Sequence, residues 1–170
     1  GVVDQSEAFK TLKYIESFIV RRGAFGLEPS GLHAAFKGMW SEIERLQEEA
    51  REKGEEVLSI ARMFPVSIAR RANVQYPTTT QFENSLRNRS LYGSKVTRYI
   101  LSQYNQSLPG DHSELTGVEV EHVLPQSMSE SWTGDFSNED HARLLNRLGN
   151  LTLLTEKMNR EVSNRGYHQK

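Results

Sequence analysis

The chain has 170 residues, of which 36% are hydrophobic, 25% charged and 9% aromatic, enough apolar content for a core of ordinary domain size and too much for intrinsic disorder. It contains no cysteine, which excludes disulfide staples, cysteine zinc sites and thiol nucleophiles, so any metal must sit on oxygen or histidine. The net charge of −1 conceals a partition: residues 57–110 carry seven basic and one acidic side chain, residues 111–140 eight acidic and no basic ones, and residues 141–170 six basic and two acidic.

An acidic segment between two basic ones fits a metal-binding or partner-docking strip beside phosphate-facing surfaces; the plain alternative is a set of solvated faces. The mean hydropathy is −0.61. No apolar run approaches the roughly 20 residues that span a bilayer, and the start Gly1-Val2-Val3-Asp4 lacks the features of a signal peptide. A soluble, cytoplasmic protein is expected, without membrane association. The missing initial methionine and the stop at Lys170 lead us to expect a piece of a longer chain.

In chain order, Phe9, Leu12, Ile15 and Ile19 predict an amphipathic helix over 6–22, with Ser6 as its cap and Arg21-Arg22 at its end. Phe36, Trp40, Ile43 and Leu46 mark a second, longer helix after Ser30, with Trp40 expected in the core. Val57, Leu58, Ala61 and Phe64 predict a third that ends near Pro65. Thr79 or Thr80 caps a helix carrying Phe82 and Leu86, and Ser94 caps another with Val96, Tyr99, Ile100 and Tyr104. Residues 1–110 therefore read as a helical region, one bundle.

The texture changes in 111–170. Val118 to Val123 alternates with the period of a strand, and Ser137 with Asp140 fits a capping box that opens a helix to about Leu145. Asn150 to Leu154 reads as a short buried strand, and Thr155 caps a last helix with Met158, Asn159 and Val162. Trp132 is expected in the core, and His33, His112 and His141 stand outside any motif.

Glu121 and His122 thus end one strand, Asn150 opens the next, and Asn159 follows nine residues later on a helix. This pattern resembles the ββα-metal, or HNH (His-Me finger), nucleases. It departs from many of them in lacking the cysteine zinc knuckle, with Thr155 and Met158 standing where cysteines would be. The match is closer to the DUF1524 (GmrSD C-terminal) family, through Glu121-His122-Val123-Leu124-Pro125-Gln126, Trp132, Gly149-Asn150-Leu151-Thr152-Leu153, Asn159, Ser163-Asn164-Arg165-Gly166-Tyr167 and Lys170. Leu12 to Arg22 looks like the helical region that precedes the motif in that family. The resemblance implies a mainly α fold, a helical bundle with an embedded ββα-metal motif. It also implies a metal-dependent DNA endonuclease or nickase of bacterial restriction and anti-phage defence, joined in the full-length protein to an N-terminal DUF262 domain as in GmrSD-type and SspE-type proteins.

Hydrolysing a phosphodiester requires a base active near neutral pH, and histidine is the residue type whose unperturbed pKa, about 6.5, lies nearest. His122 is that candidate, and Glu121 with the Asn159 amide oxygen are the expected ligands of one divalent metal, Mg²⁺ or alternatively Mn²⁺. By family analogy Asn150 orients the loop or the His122 ring. Arg160, Asn164, Arg165, His168 and Lys170 are expected to touch DNA. Two rivals remain open at this point: a catalytically silent module that grips DNA and docks the N-terminal domain, and an RNase.

Overall fold

The structure, a computed structural model, describes residues 4–71, 74–110 and 116–162. It is mostly helical, with nine helices and one two-stranded antiparallel sheet among the described residues. The chain divides into two compact units, residues 1–78 and 79–170.

The first unit is built from α1 (Gln5–Phe25), α2 (Leu32–Lys37), α3 (Met39–Glu52) and α4 (Ile60–Ala69). Aromatic side chains fill its centre: Phe18 meets Phe36 and Phe64 edge-on with ring centroids 6.2 and 6.1 Å apart, and Tyr76 lies 5.4 Å from Phe18. Several expectations change here. Ser6 lies inside α1, whose N-cap is Asp4, and the helix inserts Ile15, Phe18 and Arg22 into the core. Those residues recur three and four apart, one stripe of a helix. Phe9, Leu12 and Ile19 lie around the cylinder from it and remain exposed. The second helix breaks at Gly38 into α2 and α3, as a residue of poor helix propensity allows. The buried stripe of α3 is Met39, Ile43, Leu46 and Ala50, which leaves Trp40 51% exposed and not in the core. The third helix does not stop at Pro65: α4 runs through it, because the fully buried Phe64 and Ile68 flank the proline and hold the helix against its neighbours.

Arg22 and Arg71 of this unit are structural. Arg22 is buried, its guanidinium donating to the carbonyls of Gln75 and Glu28, both at 2.8 Å, and lying over the Phe18 ring. Burial holds its pKa below the usual arginine value. Arg71 pairs with Glu42 at 2.7 Å, and Ser67 donates to the same carboxylate.

The second unit holds α5 (Thr79–Asn88), α6 (Thr97–Ser107), β1 (Val118–His122), α7 (Glu130–Thr133), α8 (Asn138–Leu144), β2 (Leu151–Thr155) and α9 (Glu156–Val162). Thr79 opens α5, and the helix expected after Ser94 begins at Thr97, with the Ser94 carbonyl accepting from the Thr97 N–H. The Ser137 hydroxyl accepts from the Asp140 N–H at 3.0 Å at the start of α8, and Thr155 Oγ1 accepts from Met158 N–H at 3.2 Å at the start of α9. Trp132 is buried as expected. β1 and β2 pair in the register Val118 with Thr155 through His122 with Leu151. α6 and α9 each pack on both strands, and α5 packs on a 3-10 turn at Leu148–Asn150 that leads into β2. The change of texture at 110/111 therefore falls within this unit, since α5 and α6 belong with the strands.

Candidate active site

β1 ends at His122, and alternation along an extended strand sets this side chain with Val118 and Val120, while Glu121 shares the opposite side with Glu119. The two candidate groups thus straddle the end of the strand. The half-buried imidazole of His122 is held on three sides. Its Nε2 lies 3.0 Å from Asn146 Oδ1, its Nδ1 lies 3.5 Å from Gln126 Nε2, and the Tyr92 ring stands 4.2 Å away, tilted by 47°. Tyr92 and Leu91 are anchored in turn, since their N–H groups donate to the Asn146 carbonyl at 3.3 and 2.8 Å. One residue thus ties the ring to the loop after α5.

Asn150 clamps the turn that follows His122. Its Oδ1 accepts from Leu124 N–H at 2.6 Å, and its Nδ2 donates to the carbonyls of Leu124 at 3.1 Å and Leu145 at 2.8 Å. Its own carbonyl accepts from Val123 N–H at 2.9 Å. These bonds satisfy backbone groups that the turn leaves outside the β ladder. The side chain therefore holds the loop; it is Asn146, not Asn150, that touches the His122 ring. His141 adds a brace on the same turn, its Nε2 lying 2.8 Å from the Pro125 carbonyl.

Glu121 is half-buried opposite Thr152 and has no salt bridge to another described residue. On α9, Asn159 is half-buried while Glu156, Lys157, Met158 and Arg160 are exposed, so it lies on the inward side of a helix that packs on both strands. Among the described residues no three His, Cys, Asp or Glu side chains group to hold an ion. Glu121 and Asn159 carry a carboxylate and an amide oxygen, hard donor types of the kind that Mg²⁺ accepts. Arg160 is exposed and lies 3.6 Å from Glu156 in an i,i+4 pair. Asn164, Arg165, His168 and Lys170 fall outside the described residues.

The sequence reading missed Tyr92, Gln126, Asn146 and His141. Asn146 follows directly on α8 and reads by itself as a helix stop; Tyr92 sits in a loop with no motif. Gln126 was inside the quoted motif, and its place four residues after His122 was the one available signal.

A mostly helical chain with an antiparallel strand pair, a following helix and an amide-held histidine is the class these features define. The family model of GmrSD restriction endonucleases, C-terminal domain, matches residues 76–170, more than half of the chain. This chain belongs to that family, and its second unit is a restriction-endonuclease-type domain. Comparison with curated proteins and with solved structures gives no match. No helix among the described residues is long and apolar enough to cross a membrane.

Proposed function

We propose that the chain is a metal-dependent DNA endonuclease domain that nicks one strand at a time, in bacterial defence against foreign DNA. The observation that supports this best is the held imidazole of His122 beside the carboxylate of Glu121 at the end of β1, within the segment matched by the restriction-endonuclease family. In this reading β1, β2 and α9 form the ββα-metal unit of an HNH nuclease.

His122 takes a proton from the attacking water as the water oxygen bonds to phosphorus. The bond from phosphorus to the 3′ oxygen breaks, giving a 5′-phosphate, and the 3′ oxygen takes up a proton from solvent. Glu121 and Asn159 would hold a divalent cation, Mg²⁺ or Mn²⁺, which when bound would supply positive charge against the charge that gathers on the phosphate and the leaving oxygen. Asn150 keeps the turn after His122 in place, so that base and carboxylate stay at a fixed separation. Arg160, with Asn164, Arg165, His168 and Lys170, contacts flanking phosphates, which positions the duplex without reading its sequence. An N-terminal DUF262 domain controls target choice in the full-length protein.

The test is conversion of supercoiled plasmid to the open-circular form with Mg²⁺ or Mn²⁺. Wild type is expected to nick, and both EDTA and His122→Ala are expected to abolish nicking. A folded wild type that leaves DNA intact with either metal but binds it would favour the silent module; cleavage of RNA alone would favour the RNase.

A further inference from the structure

The two nitrogens of His122 face two different amides, and the amides differ in what they can do. Asn146 turns its side-chain Oδ1 to Nε2 at 3.0 Å, and an amide oxygen only accepts, so this orientation of the amide pairs with a hydrogen on Nε2. Gln126 turns its amide nitrogen toward Nδ1 at 3.5 Å, a long contact, and an amide N–H only donates, so this orientation pairs with a lone pair on Nδ1. The partners come from different places in the chain, one after α8 and one after β1, and both specify the same tautomer.

They differ in permanence. Asn146 is half-buried and its backbone is fixed by the Leu91 and Tyr92 N–H groups on its main-chain carbonyl, whereas Gln126 is exposed and its contact is long. The Tyr92 ring packs against the imidazole with its centroid 4.2 Å away.

We propose that Asn146 is a positioning residue that holds His122 in the Nε2–H tautomer, so that Nδ1, on the side of Gln126, is the nitrogen that receives the proton of the attacking water. The catalytic half of this rests on the nuclease reading; the tautomer does not. A ring free to exchange tautomers would spend part of its time with a hydrogen where the lone pair is needed.

The experiment pairs two readouts on the same protein. Long-range ¹H–¹⁵N correlation spectra of the imidazole, taken where the ring is neutral, are expected to show the Nε2–H pattern for His122 in wild type. Asn146→Asp, which keeps an acceptor oxygen, is expected to retain that pattern, and Asn146→Ala to shift to a mixture with a measurable Nδ1–H share. In plasmid nicking, Asn146→Ala is expected to lower kcat by about 10- to 100-fold with KM little changed, with Asn146→Asp restoring most of the rate. An Nδ1–H pattern in wild type, or an Asn146→Ala protein with unchanged tautomer and rate, would overturn the proposal. A wild type that nicks nothing would sink the nuclease reading instead, and the spectra would still decide the tautomer.

Discussion

The two units put their polar and apolar side chains to different uses. Residues 1–78 pack a dense interior in which Phe18, Phe36, Phe64 and Tyr76 meet ring to ring, and even the buried Arg22 is spent on backbone carbonyls. Residues 79–170 bury fewer large apolar groups, chiefly Leu91, Val118, Leu124, Trp132 and Leu151, and keep a groove of about 1030 Å³ along β2 between α5 and α6. Their polar network is instead directed at one loop and one imidazole, through Asn146, Asn150 and His141. Apolar contacts between close-packed rings give stability and no direction; amide hydrogen bonds give direction and modest net stability. The contrast separates a unit packed around aromatic rings from one whose amides hold an imidazole and the turn beside it.

Substitutions sharpen the contrast, starting with the largest expected effect. His122→Ala should lower nicking by on the order of 10²- to 10⁴-fold, the range for removing a general base. Phe64→Ala, at a site 1% exposed, should cost about 3–5 kcal/mol of unfolding free energy in a denaturant titration, through lost transfer energy and a cavity. Asn150→Ala leaves the Leu124 N–H and the Leu124 and Leu145 carbonyls without their partner, at roughly 1–3 kcal/mol for a group that stays unsatisfied. Hydrogen exchange at Leu124 should then quicken well before exchange in α4. If it does not, the loop is held by something other than this amide.

Ser137→Ala should cost about 1 kcal/mol as a lost helix cap. The same residue reports on charge. Arg143 and then Ser137 hydrogen-bond the Asp140 carboxylate and hold its pKa below the usual 3.8. A carboxylate depressed by folding adds stability at pH values above its unfolded pKa and loses it as pH falls through the lower folded value. Asp140 should therefore titrate below 3.8 by NMR and move back up in Ser137→Ala, and the part of that variant's stability loss that comes through the carboxylate should be present at neutral pH and vanish as pH falls through its pKa.

What was legible in the sequence was local. The alternation of Val118 to Val123, the caps at Ser137 and Thr155, and the spacing from Asn150 to Asn159 are set by neighbours within a few residues, and the elements form within a residue of those patterns, with β1 ending at His122 and Asn150 closing the 3-10 turn before β2 instead of opening the strand. Two kinds of feature were not legible. Phe9, Leu12 and Ile19 repeat at helical spacing as well as the stripe of α1 that is buried, and periodicity does not say which stripe meets the core. The contacts of His122 with Asn146 and Tyr92 join residues 24 and 30 positions apart, and they exist only once the α5–α6 loop and the end of α8 have folded beside β1. Motif spacing pointed to His122; only tertiary structure showed what holds its ring.

The central claim is that chemistry resides at His122 while stability resides in the aromatic core of the first unit. It is tested most directly by measuring thermal unfolding and metal-dependent plasmid nicking on the same preparation of His122→Ala beside wild type. The account predicts a melting temperature within a few degrees of wild type, as about 1 kcal/mol would give, together with loss of nicking. Nicking at the wild-type rate by the folded variant would contradict it.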